Sequence, residues 1–293
     1  MDSVLVLTAG APLRDEAAEA AAQALAGAGA HVARPRRLAA EAVEIGFDGP
    51  RAPALSAARA AFSADPIDVN ALAAARREKR LLISDMDSTV ITVECIDEIA
   101  AHAGIGARVA AITERAMRGE LDFEAALDER VGLLTGFAVT DLQAVYDERV
   151  TLTQGARALV EGMNARGALT ALISGGFDFF TERVAAAAGF ARHRANRLLA
   201  ENGRLTGAVA RPILGREAKR ETLFTLAAEI GAGPEDALAL GDGANDLGMI
   251  GAAGLGVAWR AKPAVAAAAD ARIDHADLTA VLRLQGVPAN GFG

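Results

Sequence analysis

The stretch Leu81-Leu82-Ile83-Ser84-Asp85-Met86-Asp87-Ser88-Thr89-Val90 constrains this chain more than any other. A mostly apolar run with no polar alternation suits a strand buried on both faces, as in a parallel sheet. Such a sheet needs crossover connections, so helices must cover its two faces. Two aspartates, one residue apart, follow at the C-terminal end of that strand, where open α/β sheets place their ligands. Alternate side chains of an extended chain point the same way, so both carboxylates face one space. Like charges held that close repel, and their pKa values spread unless a cation compensates. Two acids so spaced most often mark nothing more than an acidic turn. The strand ahead of them and three later stretches shift the balance.

Past Gln154-Gly155 the pattern alternates between β and α. A helix is expected over 156–166, then a strand over 168–173 that ends in Ser174-Gly175-Gly176-Phe177. A helix over 178–188 and a strand near 195–199 follow, with a hairpin turn at 201–204. The helix expected over 216–230 leads to a strand at 237–240 and then to Gly241-Asp242-Gly243-Ala244-Asn245-Asp246. Short strands at 254–257 and 271–273 and helices at 261–269 and 278–284 complete the series. Alternating units of this kind give a Rossmann-like, doubly wound parallel sheet. Between its first strand and this block lie four helical stretches, 95–103, 107–118, 123–134 and 141–150, punctuated by Gly104, Gly106, Gly119 and Gly136. An insert there, about 94–152, would cap the end of the first strand, excluding water and reading the substrate. Ahead of the sheet, strands at 3–8, 30–35, 41–47 and 66–69 with helices at 14–28 and 53–64 spell βαββαβ, a small ferredoxin-like α+β domain. The expected division is therefore an N-terminal domain over 1–76 and a core over 77–293, joined by a basic linker at 71–80 whose charges are expected to be solvated. The N-terminal stretch carries no catalytic cluster. Ligand sensing, subunit contact and plain structural support all stay open for it.

Composition narrows the functional classes. In 293 residues with 52% hydrophobic and 23% charged content there is material for a large core and about two domains. A formal net charge of -8 argues against a nucleic-acid surface, though a metal or lysine can reverse the sign inside a pocket. The single cysteine, Cys95, excludes an internal disulfide and a multi-cysteine zinc site, and its apolar neighbours suit a small helix residue rather than a nucleophile. No apolar run reaches membrane-spanning length. The first residues have no basic stretch before the apolar ones, so no signal peptide is expected, and a cytoplasmic location follows by default.

Three strands of the expected sheet thus end in clusters: Asp85 with Asp87, Ser174-Gly175-Gly176, and Asp242 with Asn245 and Asp246. Lys219 stands near the start of a helix between the second and third. Carboxylates, a hydroxyl with pliant backbone and one lysine are what metal-assisted phosphoryl transfer requires. In that reading Asp85 is the nucleophile and Asp87 the general acid and base. The Asp85 and Asp242 carboxylates and the Asp87 backbone carbonyl would hold Mg²⁺ through hard oxygen atoms. Ser174 and the Gly175 amide would hold phosphate oxygens, and Lys219 would add positive charge. Asn245 and Asp246 would orient the phosphate and the lysine. Each piece has a bland counterpart: a helix-face lysine is usually solvated, and Ser-Gly-Gly is often only a turn. The Gly-x-Gly at 241–243 is not a dinucleotide fingerprint, because Asp246 stands where the third glycine belongs.

These residues resemble the four motifs of the haloacid dehalogenase superfamily of phosphatases, namely Asp-Met-Asp-Ser-Thr, Ser-Gly-Gly-Phe, Lys219 and Gly-Asp-Gly-Ala-Asn-Asp. Within it, Val90 through Glu98, Ala116 through Phe123 and Glu129-Arg130-Val131 are similar to the phosphoserine phosphatase family, a likeness that runs from about Lys79 to Gly286. The resemblance implies a Rossmann-like core with a helical cap, Mg²⁺, and hydrolysis of O-phospho-L-serine to serine and phosphate, the last step of serine biosynthesis. It also implies that Glu94 binds the substrate ammonium, that Arg130 binds its carboxylate, and that Met117 and Phe123 form an apolar lid. For Phe123 and Met117, ordinary packing is a fair alternative. A homodimer is compatible with such a chain. Two other functions stay open: a phosphotransferase or phosphatase acting on another small phosphorylated metabolite, and an amino-acid sensor with a vestigial core.

Overall fold

The computed structural model describes residues 1–289. The chain starts with β1 (Ser3–Ala9), α1 (Asp15–Gly27), β2 (His31–Val32), β3 (Arg36–Ala39), β4 (Ala42–Asp48), α2 (Arg51–Ala61) and β5 (Ile67–Ala73). The strands form an antiparallel sheet in the order β2-β4-β1-β5, with β3 also paired to β4, a ferredoxin-like arrangement. The strand expected over 30–35 is broken, because Pro35 cannot donate to a ladder and falls between β2 and β3. Every residue of β1 is buried. The strand period of two explains how: Leu5 and Leu7 pack under the helices with Ala21, Leu25, Ala54 and Ala58. Val4 and Val6 face the other way and join the core of the rest of the molecule.

The parallel sheet begins with β6 (Leu81–Ser84). Then come α3 (Cys95–His102), α4 (Gly106–Met117), α5 (Phe123–Gly132) and α6 (Val139–Arg149), and after them α7 (Ala156–Ala165), β7 (Leu169–Phe177), α8 (Asp178–Ala188) and β8 (Arg192–Asn196). A hairpin of β9 (Leu198–Glu201) and β10 (Arg204–Val209) leads to α9 (Arg216–Glu229), β11 (Ala237–Gly241), α10 (Leu247–Ala252), β12 (Leu255–Trp259), α11 (Pro263–Ala268), β13 (Ala271–Ile273) and α12 (Ala280–Leu284). Strand order is β13-β12-β11-β6-β7-β8, and every neighbouring pair is parallel. Leu81 and Ile83 pack on one face of this sheet and Leu82 on the other, which is why the run needed no polar alternation. With β7 and β11 on opposite sides of β6, the winding reverses there, and the three functional clusters emerge side by side.

Helices α3 to α6 form the insert. The two chains that carry it cross together: Ile91 bridges Leu152, Thr92 N donates to Thr151 O at 3.1 Å, and Thr153 N donates to Val90 O at 2.9 Å. The hairpin adds a further tie, since Gly136 N donates to Leu205 O and Leu205 N to Phe137 O, both at 2.8 Å.

The segment expected to be a solvated linker is so only in part: Arg76, Glu78 and Arg80 are exposed, but other residues are drawn in. Strand β5 extends to Ala73, and Lys79 is buried, its Nζ donating to Arg76 O at 2.8 Å and Glu235 O at 2.7 Å. Arg77 pairs with Glu44 at 2.9 Å. The cause is that the N-terminal sheet lies directly on the core, so the connection runs along a seam. On β5 the Asn70 side chain gives Nδ2–H to Arg272 O at 2.8 Å and accepts Arg272 N–H at 2.9 Å. Asp68 accepts amide hydrogen bonds from Asp274, His275 and Ala276. The edges of the two sheets therefore protect each other through side chains.

Candidate active site

Strand β6 ends where Asp85 N donates to Leu240 O at 2.9 Å, which fixes the first aspartate beside β11. Its Oδ1 accepts from Met86 N at 2.7 Å and lies 2.8 Å from Lys219 Nζ, while Oδ2 lies 3.3 Å from Asn245 Nδ2. Asp87 points into the same cleft. Its Oδ1 accepts from Cys95 N at 2.8 Å, at the start of α3, and its Oδ2 accepts from Ser174 Oγ at 3.0 Å. Cys95 itself is buried in the α3 packing, and burial pushes its thiol up, which suits the structural role expected for it. Gly176 permits the approach, because a β-carbon there would stand 2.7 Å from Asp87 Oδ2.

Lys219 is fully buried and is held between Asp85 and Asp246, the latter at 2.7 Å. Burial alone would lower its ammonium pKa, but the Asp246 and Asp85 charges outweigh that and hold it above the ordinary lysine value. Asp246 Oδ2 also accepts from the Asp242 and Gly243 amides, at 3.2 and 3.1 Å. Gly241 makes room for it, since a β-carbon there would lie 2.4 Å from Asp246 Cγ. Asp242 Oδ1 accepts from Thr89 Oγ1 at 3.0 Å.

The electrostatics are strained toward negative charge. Burial first, then Glu94 and Asp85, push the Asp87 carboxyl up to about 7. Burial and the neighbouring Asp85 push Asp242 up to about 6. Ligand oxygens of Asp85, Asp242 and Asp246 come within 4.8 Å of one another. Lys219 is one ammonium against those three acids; it sits on one oxygen of Asp85 and one of Asp246, and the two loop amides take the second Asp246 oxygen. Asp85 and Asp242 are left as the pair of hard oxygen donors that fits a divalent cation.

The cleft, about 590 Å³, is shared between the core and the insert. Glu94 and Arg130 line it together with Asp85, Asp87, Ser174 and Asp242. Glu94 Oε1 accepts from Ser88 Oγ at 2.7 Å, and Ser88 has a left-handed backbone with φ 54°, a conformation that non-glycine residues seldom adopt. Burial raises the Glu94 carboxyl against the opposing Ser88 hydrogen bond and lowers the Arg130 guanidinium. Arg130 sits on α5, whose start is fixed by the Asp122 side chain accepting from Ala125 N at 2.8 Å. Phe123 lies against Gly175 and Gly215. Met117 also lines the cleft but is 70% exposed, so it does not shield the site in this conformation.

All the residues singled out in the sequence thus meet in one place. Others that were given no role meet there too. Thr89 was visible beside the aspartates, yet its tie to Asp242 spans 153 positions. Asn196, at the end of β8, bonds Gly175 O and Leu214, and nothing in the local sequence marks it.

This geometry defines a hydrolase built on a doubly wound sheet with a carboxylate pair at its switch point. The profile of haloacid dehalogenase-like hydrolases matches residues 82–250, and the chain belongs to that family. More particularly, it is 41% identical over 290 residues to the phosphoserine phosphatase of Streptomyces coelicolor, covering 97% of this chain and 70% of the relative. It is 44% identical over 213 residues to the phosphoserine phosphatase of Archaeoglobus fulgidus, but that match spans only 62% of the archaeal protein. The crystal structure of a probable phosphoserine phosphatase from Vibrio cholerae superposes with a TM-score of 0.83 at 32% identity, covering 99% of this chain and 88% of the other.

Proposed function

We propose that this chain hydrolyses O-phospho-L-serine to L-serine and phosphate through an aspartyl phosphate on Asp85. The observation that carries the reading is one cleft in which Glu94 and Arg130 stand with Asp85, Asp87 and Ser174. A phosphate-processing site needs neither of the first two, whereas a substrate with an ammonium and a carboxylate needs both. The names of the relatives point the same way.

Asp85 attacks phosphorus, and the bond from phosphorus to the serine oxygen breaks. Asp87 gives its proton to the leaving oxygen, a task suited to a carboxyl raised toward neutrality. The resulting carboxylate takes a proton from water as that water attacks the phosphorus, which frees Asp85 and inorganic phosphate. Ser174, the Gly175 amide and Lys219 hold the phosphate oxygens, and Asp246 orients Lys219. Asn245, close to Asp85, holds the phosphate from the other side. The insert, with Phe123 and Met117 at the cleft, keeps bulk water from the acyl phosphate when it closes. A divalent cation, in our reading Mg²⁺ on Asp85, Asp242 and the Asp87 carbonyl, would supply positive charge to the transferring group. Residues 1–76 form an accessory α+β unit in this scheme, with the catalytic core from 77 onward and its cap at about 94–152.

Phosphate release from O-phospho-L-serine and from a panel of other phosphorylated small molecules tests the reading. Activity should vanish with a chelator and return with Mg²⁺. Asp85→Asn should lower turnover by at least about 10⁴-fold, in the range seen when a covalent nucleophile is lost. Near-normal release by that variant sinks the nucleophile assignment, and equal rates across the panel sink the substrate.

A further inference from the structure

Strand β7 does not run evenly beside β8. Ile173 pairs with Arg194 and Phe177 with Asn196, so Ser174, Gly175 and Gly176 stand against the single residue Ala195. Those three residues bulge out of the ladder toward the cleft, and their backbone groups need partners from elsewhere. The Asn196 side chain, 3% exposed, supplies one. Its Nδ2 donates to Gly175 O at 2.8 Å and reaches Leu214 O at 3.4 Å, while its Oδ1 accepts from Leu214 N at 2.6 Å.

Two branches of the active site meet at this amide. In the first, the Gly175–Gly176 peptide is held at both ends. Asn196 takes its carbonyl, and its N–H donates to Ser174 Oγ at 2.8 Å. Ser174 Oγ in turn donates to Asp87 Oδ2. The second branch leads through Leu214 to Gly215, whose carbonyl accepts from Lys219 N at 3.1 Å in the first turn of α9. Lys219 then reaches Asp85 and Asp246.

We propose that Asn196 is a positioning residue that fixes the phosphate-holding loop and the lysine helix relative to each other. It touches no reacting atom. Both of its carbonyl partners require a donor, and Leu214 N requires an acceptor, so only an amide side chain of this length meets all three demands. Without the donor the partly buried Gly175 carbonyl loses its side-chain partner. The peptide then turns, Gly176 N–H leaves Ser174, and the phosphate loses its alignment with Asp85.

This inference rests on the phosphatase reading, and the test separates the two. Asn196→Asp keeps size and the acceptor for Leu214 N but removes the donor. With O-phospho-L-serine, kcat/KM should fall by about 100-fold, the scale of an ångström-sized misplacement. Inhibition by inorganic phosphate should weaken at least about tenfold, while inhibition by L-serine, held by Glu94 and Arg130, should stay within about twofold. A kcat/KM within about twofold of the parent overturns the inference and leaves the reading standing. Parallel weakening of phosphate and serine inhibition also overturns it, because a purely structural support would loosen both. If the parent protein releases no phosphate from any substrate, the reading fails and the inference with it. Should Asn196→Asp not fold, Asn196→Ser, too short to span both carbonyls, is judged by the same split. If neither folds, the amide is a structural support and the inference is wrong.

Discussion

The N-terminal sheet and the helical insert both pack on the parallel core, yet their polar groups face different partners. On the N-terminal side, Asp68 and Asn70 are buried and bonded to the backbone of 272–276. On the insert side, Glu94 and Arg130 border an open cleft, and the Arg130 Nε–H goes to Ala126 O within its own helix. Buried polar groups that satisfy backbone hold two sheets together, whereas polar groups on a cleft wall remain available to a ligand. Polar side chains therefore do unlike jobs in the two places, and what separates the jobs is where the partner comes from.

If this contrast is right, damage to the N-terminal seam lowers stability and damage to the insert lowers substrate recognition. Asp68→Ala leaves three amides without their acceptor and should cost about 3 kcal/mol in thermal or denaturant unfolding. Phosphate release by the folded fraction should keep its rate, and a large loss there would show that the seam speaks to the active site. Arg130→Ala should raise KM for O-phospho-L-serine about 10- to 100-fold, and KM for an aryl phosphate far less, with little change in melting temperature. Equal effects on the two substrates would remove its carboxylate-binding role. Asn70→Ala breaks the paired bonds to Arg272 and should cost about 1–2 kcal/mol, again without a kinetic signature. Arg211→Ala should have the smallest effect. Its ion pairs with Glu124 and Asp128 join the segment after the hairpin to the insert, but all three side chains are substantially exposed, so about 0.5 kcal/mol is the expected ceiling. A larger loss would mean that the insert is clamped by its rim as well as by its cleft.

Much of the fold was legible because its signals are local. The unbroken apolar run at 81–83 suits a strand covered on both faces, and β6 lies in the middle of the sheet. Helix α5, the hairpin turn at 201–204 and the βαββαβ order all follow from patterns a few residues long. Part of the linker misled for the same reason. Arg77 and Lys79 carry the composition of a solvated boundary, and only the sheet laid against them turns Lys79 inward onto Glu235 O, 156 positions away. The short helix α10 raised no signal ahead of the structure, since six residues are too few for a period to declare itself.

Sequence alone determined the acids and their order: Asp85 and Asp87 on one side of a strand end, Ser174-Gly175-Gly176 after a second strand, Asp242 to Asp246 after a third. Spacing along one chain fixes which way neighbouring side chains point, and no distant contact is needed for that. Tertiary structure decided the rest. A lysine at 219 reads as a surface residue until the sheet closes over it between Asp85 and Asp246. Asn196 and Asp68 read as ordinary polar residues until Leu214 and the amides of 274–276 are brought to them. The physical reason is that a buried polar group is defined by its partners, and the partners here lie 18 to 208 positions along the chain, beyond the reach of any local pattern.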